Sequence, residues 1–303
     1  MKIIATLLLL VTSTFSIAQN ILNDTSVSFI GSWSKGEEKV IEIVRAKETL
    51  RSGEPTSTFN FSYEAHISIL DSTKDGYTIK WVFHLTDKFK KENPLLAMAM
   101  PVYEGLKMIF TTTNFGSFNE LINWKEVKDA YVSMMELSLP QNLSDSTKAA
   151  INKSNELFNS REMAEAALIK EIQLYYAPYG GNFTSQGIKT ATSMENPFGG
   201  EQLPAITNQQ LMKIDADFFT AIFSQELDST GMRIMMNSMF KKMEIPLDSL
   251  KENGKDMLSG FQMRDFNKYK LQKSTGWISE LTHERIAMLA DTKQSETFNF
   301  RLK

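Results

Sequence analysis

Cysteine is absent from the 303 residues, and histidine occurs three times. The first absence removes disulfides, thiol nucleophiles, thiolate metal centres and a lipid anchor on an N-terminal cysteine. The scarcity of histidine leaves little nitrogen from which to assemble a metal site. Clustered charge of one sign is missing as well. Thirty-three basic residues face 36 acidic ones, for a net −3, and they are scattered without a basic block. Nucleic acids and anionic membrane surfaces both call for such a block, so neither is an expected partner. There is no Gly-x-Ser-x-Gly elbow, and "PYGG" and "PFGG" lack the Lys-Ser/Thr of a phosphate loop and read as turns. No repeated motif is visible.

The opening "MKIIATLLLLVTSTFSIAQN" is organised differently from the rest. Lys2 gives a basic start, Ile3 to Val11 an apolar run, and Ser16-Ile17-Ala18 a small-x-small end. That order predicts a signal peptide over residues 1–18, cleaved near Ala18-Gln19, and export to the periplasm or beyond. Its apolar core is short of the ~20 residues a membrane span needs, and no later window is apolar enough to be one. The remaining chain, 19–303, carries 32 basic and 36 acidic residues, a net −4. With 42% apolar residues it can bury the core of one domain, with a possible subdivision into 19–142 and 143–303 and a helical middle segment over 144–176.

Within that domain the strongest pattern is alternation. Phe59, Phe61, Tyr63, Ala65, Ile67 and Ile69 share one face, and after "DSTKDG" so do Tyr77, Ile79, Trp81, Phe83 and Leu85. This predicts an antiparallel hairpin. Placing Ile69 opposite Tyr77 sets His66 and His84 about 13 Å apart on its polar face, too far to share a metal. A second hairpin turns at Asn114-Phe115-Gly116 and leads into a helix, with Asn123 and Glu126 as a capping box. Residues 144–172 predict one helix, or two with Ser160 capping the second. "TSMENPFGGEQLPAITNQQ" predicts a linker, "MKIDADFFTAIFSQEL" one buried strand, and Met232–Met243 and "PLDSLKENGKDMLSGF" helices. The chain returns to strands in "FNKYKLQKS", "WISELTHERIAML" and "ETFNFRLK".

Chemical candidates are few. Asp215 and Asp217, two apart on the expected strand, are a carboxylate pair or a solvated edge. His283 is expected on a half-exposed strand. Tyr175, Tyr176 and Tyr179, with Phe183, either stack on a flat ligand or pack a helix-to-strand junction. Trp33, Trp81, Trp124 and Trp277 read as core or hairpin anchors. Met232, Met235, Met236, Met239 and Met243 fall on one helical face. Three readings stand for that stripe: packed core, an adaptable surface for an apolar ligand or partner, and Cu(I) ligation, the last lacking the usual His, Asp or Cys between the methionines.

The "AQ"-ending leader, the early alternating hairpin, "TTTNFGSFNELINWKEV" and "YKLQKSTGWISELTHER" resemble the uncharacterised exported proteins of the Bacteroidota. Those carry a strand, an Asn-Trp that opens a helix, and a terminal "tGW" hairpin. The resemblance spans most of the mature chain and implies localisation and fold rather than activity. The chain is more loosely similar to periplasmic lipoprotein carriers, in which a curved antiparallel half-barrel covers an apolar pocket with helices. It is longer than those, and no carrier motif matches residue by residue. The expectation is an α+β fold, a curved half-barrel-like antiparallel sheet packed with several helices. Its expected role is a non-enzymatic envelope protein holding an apolar small molecule or lipid between sheet and Met-rich helices. The alternatives are an assembly factor with a solid core and an envelope protein partner and, less favoured, a hydrolase. No catalytic residue, metal or cofactor is assigned.

Overall fold

Every second residue of the first hairpin is buried, from Phe61 to Ile69 on one strand and from Ile79 to Leu85 on the next, and this face nucleates the core. In the computed structural model, which describes residues 21–23, 25–92, 104–138, 160–194, 196, 201–242, 262–289 and 291–303, these two strands belong to a much larger sheet. In chain order the strands are β1 (Ile21–Asn23), β2 (Ser26–Ser28), β3 (Glu38–Arg51), β4 (Glu54–Thr73), β5 (Gly76–Leu85), β6 (Lys107–Thr113) and β7 (Phe118–Leu121). They continue with β8 (Asn182–Thr184), β9 (Ile188–Met194), β10 (Leu203–Ile214), β11 (Phe218–Leu227), β12 (Gln262–Gln272), β13 (Ile278–Leu289) and β14 (Thr292–Leu302). The helices are α1 (Asp87–Glu92), α2 (Trp124–Ser138), α3 (Arg161–Leu168), α4 (Lys170–Tyr176) and α5 (Ser229–Lys242).

Eleven strands form one open antiparallel sheet in the order β7-β6-β5-β4-β3-β14-β13-β12-β11-β10-β9, and β1-β2-β8 form a separate three-stranded sheet. The described chain is therefore mostly antiparallel β with some helix, and the sheet runs through both expected subdivisions. One face of the large sheet carries the core and is covered by α4, by the small sheet through Val27, Phe29 and Phe183, and by α5. The other face is part-exposed and mixes polar and charged residues with apolar ones such as Val44 and Ile206.

Several expectations change. The register of β4 and β5 is offset by two residues: a tight turn pairs Thr73 with Gly76, and after a one-residue irregularity between Ile69 and Asp71 the partner of Ile69 is Ile79 rather than Tyr77. His84 then lies opposite Glu64, and the His66 and His84 rings are 4.4 Å apart between centroids. Each ring bonds a carboxylate, His66 to Glu64 (3.3 Å) and His84 to Glu104 (3.0 Å), while Glu64 also accepts from Lys303 (2.6 Å). Among the described residues no group of three or more His, Asp or Glu converges as a metal site.

The expected linker after Met194 is strand β10 from Leu203 onward, and the expected single strand 212–227 is the end of β10, a turn and β11. Asp215 and Asp217 lie in that turn, not on one strand face; Asp215 pairs with Lys213, and Asp217 uses its carbonyl to accept from Lys273 N–H (2.9 Å). Asn123 does precede α2, but its side chain ties the helix to β6 instead of capping it. Its Oδ1 accepts from Ile109 N–H (2.8 Å), and its Nδ2 donates to Lys107 O (3.0 Å) and Glu126 (3.1 Å). Ser160 caps α3, accepting from Met163 N–H (3.3 Å). The hairpins turning at Asn114-Phe115 and at Thr275-Gly276 are as expected. The leader 1–18, residues 144–159, Met243 and the expected helix 246–261 lie outside the described residues.

Candidate functional site

Tyr175, Tyr176 and Tyr179 meet in the centre of the core, fully buried, where α4 ends against β13. The Tyr175 hydroxyl donates to Ile278 O and the Tyr179 hydroxyl to Gly276 O, both at 2.8 Å. Trp33 lies edge-on to Tyr176 and Tyr179 and packs 4.8 Å from Trp277. The rings pack one another, so no face is left for a flat ligand: this expected platform is a packing device. Burial pushes all three phenols above their ordinary range. Gly276 is required at this junction, since its φ of +67° is left-handed and a Cβ there would stand 2.5 Å from Ile30 O.

The methionine stripe lies elsewhere. Asp228 caps α5, its Oδ1 accepting from Gly231 N–H (2.7 Å), and Gly231 brings the helix so close to β10 that a Cβ would meet Pro204 O at 2.1 Å. Met235 and Met236 are buried there with Met194, Leu203, Ala205, Leu227, Phe240 and Met263, and Met232 packs half-buried against them. The Met239 side chain and Met243 are outside the described residues. This cluster is separate from the aromatic core although both lie on the covered face.

Between the two clusters runs a feature that was not anticipated, a charged belt. Two adjacent rows of side chains cross seven strands from β4 to β10, paired residue to residue by the sheet register. The first row reads Phe61, Arg45, Phe298, His283, Asn267, Phe223, Gln209; the second reads Phe59, Lys47, Glu296, Arg285, Asp265, Gln225, Thr207. On one side of the rows Tyr63, Ile43, Phe300, Leu281 and Tyr269 continue into the aromatic core, and on the other Met263 and Leu227 begin the methionine cluster. Lys170 and Glu171, at the start of α4, meet the belt from above.

Glu296 is its hub. The carboxylate accepts from Arg45 Nε (2.9 Å) and Nη2 (2.6 Å) and from Lys170 Nζ (2.6 Å), and Lys47 Nζ stands at 3.3 Å. Burial alone would raise this carboxyl; Lys170 and Arg45, by charge and hydrogen bond, overcome it and hold it at about 2. Glu171, 3.9 Å from Arg45, behaves oppositely: burial dominates and raises it, and Glu296 adds to the effect. Burial likewise lowers Lys170, reinforced by Arg285 and opposed by Glu296, while its 2.6 Å contact is that of a charge-assisted bond. Alongside, Arg285 grips Asp265 through two bonds of 2.7 and 2.6 Å. Arg45 and Lys170 both lie over the Phe298 ring, 5.0 and 5.2 Å from its centre.

His283, expected half-exposed, is 1% exposed. Its Nδ1 is 2.8 Å from Asn267 Oδ1, and burial, with Lys170 and Arg285 adding and Asp265 opposing, lowers it to about 4. The imidazole is therefore neutral at pH 7. Sequence carried a signal for all of this. In each of β3, β12, β13 and β14 the inward alternation holds apolar residues at one end and two consecutive inward polar or aromatic positions at the same depth. That signal emerges only when the strands are set in register.

No family model and no curated protein matches the chain. Among solved structures it is similar to an outer membrane channel from Pseudomonas putida F1 at 6% identity, covering 90% of this chain and 98% of that one with a TM-score of 0.19, a likeness on which no argument rests.

Proposed function

We propose that this is an exported, non-enzymatic binding protein that holds an amphipathic small molecule on the covered face of its sheet. The apolar part lies against the methionine cluster, and the polar part lies at the charged belt. The observation that carries this reading is the belt itself, an ordered polar strip set between two apolar clusters on one face. A sheet built only for stability gains little from interrupting this face with five charged side chains of its own, Arg45, Lys47, Glu296, Arg285 and Asp265, since ion pairs taken out of water roughly break even against apolar packing. Soft thioethers at Met232, Met235 and Met236 suit an apolar tail of variable shape. The sheet itself favours enclosure: an open antiparallel sheet of eleven strands curls rather than lies flat, which supports a half-barrel with the covered face inward and an α+β description of sheet plus lid helices.

Native mass spectrometry of the protein purified from its own host tests the proposal. The expected result is a bound amphiphile released by organic extraction; a reproducibly empty chain overturns it.

The two sheet edges favour a second reading, of a protein partner. Edge strand β7 is shielded, its Leu121 N–H donating to Glu165 of α3 at 2.6 Å. Edge strand β9 is exposed along Ile188 to Ser193 and, among the described residues, pairs only with β10. Such an edge accepts an extended segment by strand addition.

A further inference from the structure

The chemistry of the belt says what kind of polar head it takes, on the premise that the covered face binds an amphiphile at all. The charges are already spent on one another. Arg45 and Lys170 are bonded to Glu296, Lys47 stands beside the same carboxylate, and Arg285 is bonded to Asp265 through both acid oxygens. An anionic head would compete with Glu296 and Asp265 for these cations, and a cationic head would add to four positive groups.

One group remains with bonding capacity. Asn267 Nδ2 donates to Phe223 O (3.5 Å), which turns Oδ1 towards His283. The Nδ1 of His283, 2.8 Å from that oxygen, therefore carries the proton, and Nε2 is left as an acceptor. Nε2 is buried and has no partner. Trp33 Nε1, Trp81 Nε1, Tyr176 Oη and Thr113 Oγ1 also lack one, but the indoles only donate and, with Tyr176, are packed among aromatic rings whose faces accept weakly, and Thr113 lies on β6, outside the belt. His283 is different: it is an acceptor and lies in the polar belt, beside Phe298 (ring centres 5.8 Å apart) and within the field of Lys170, Arg285, Asp265 and Glu296. A buried acceptor left unsatisfied is costly, so a donor that reaches it is held.

We propose that the ligand is a single-chain amphiphile whose head is an uncharged hydrogen-bond donor of the alcohol type, and that His283 Nε2 accepts its hydrogen. The alkyl chain then runs from the belt onto the methionine cluster. Because Nε2 is closed to solvent, the head reaches it only as a neighbour moves. Lys170 lies over the adjacent Phe298 ring with its side chain 28% exposed, and it is the long flexible group at that margin.

The test uses three probes with the same chain, 1-decanol, decanoate and decyl methyl ether, titrated calorimetrically into the full-length mature protein at pH 7. Decanol should bind about tenfold tighter than the other two, and His283→Phe should reduce that preference to about twofold. A readout on the unsubstituted protein guards against misfolding of the variant. With 15N-labelled histidine, the His283 proton should sit on Nδ1, and saturation with decanol should shift the Nε2 resonance. Tightest binding by decanoate, equal binding of alcohol and ether, or an Nε2 resonance that decanol leaves unmoved because it holds only a water would each overturn the head-group assignment while leaving amphiphile binding intact. Failure of all three probes to bind would overturn both.

Discussion

Replacing Glu296 by Gln keeps the size of the side chain and removes the one charge that holds Lys170, Arg45 and Lys47 together. The magnitude follows from the carboxyl itself. Moving it from an ordinary 4.5 in the unfolded chain to about 2 in the folded one corresponds to about 3 kcal/mol of stability. The side chain is 13% exposed, and Arg45 and Lys47 reach water, so part of that is screened and about 2 kcal/mol is the expected loss at pH 7. The sign is that of a depressed acid: the contribution is complete above pH 4.5 and is lost as pH falls through about 2, with roughly half gone near pH 3. Urea unfolding should show the variant's midpoint about 1 M below the parent at pH 7, and the gap should narrow as pH falls to 3. A gap under about 0.2 M at pH 7, or one of constant size across that range, would refute the account of Glu296 as an electrostatic hub.

Two further outcomes are expected. His283 is lowered from 6.5 to about 4, so the unfolded chain takes up the proton first and stability present above pH 6.5 is lost as pH falls to about 4. His283→Gln should flatten urea stability between pH 7 and 4.5, and an unaltered slope would show that His283 is not what acid attacks there. Gly231→Ala, with its Cβ at 2.1 Å from Pro204 O, should push α5 off β10 and cost about 1–3 kcal/mol. Met235 and Met236 should then be oxidised faster by peroxide, as read by mass spectrometry, whereas unchanged oxidation would mean that the helix docks without needing that contact.

What sequence disclosed and what it hid follow a single physical divide. Where the inward face is uniformly apolar, as from Phe61 to Leu85, alternation locates strands directly, although the tight turn at Thr73–Gly76 and the irregularity at Ile69–Asp71 together set the register two residues from the expected one and bring His66 and His84 together. Where the belt crosses a strand, alternation fails. β3 shows Ile41 and Ile43 and then turns Arg45 and Lys47 inward, and β10 carries Asn208, Gln209 and Gln210 in its middle, so it reads as a linker. The turn Asp215–Asp217 contains neither Gly nor Pro, which hid the hairpin between β10 and β11. The methionine face was legible as a helical stripe, and Met235 and Met236 are buried on it. The tyrosines were legible as a cluster but not as the buried wedge beneath the Gly276 turn. The belt was not legible, because it is assembled from residues 45 to 298 by pairing alone.

That pairing also sets the order in which the molecule can be completed. β14 comes after every other strand in the chain yet sits in the middle of the sheet, and residues more than 240 apart in sequence, such as Arg51 with Thr292, are its partners across β3. During synthesis the β3–β7 portion must wait with the rim of β3 bare, and the β9–β13 portion waits with the rim of β13 bare. Contacts of such long sequence separation form slowly. Until β14 closes the gap the chain is two half-sheets with adhesive margins, the condition in which a chaperone that masks strand rims decides between maturation and aggregation.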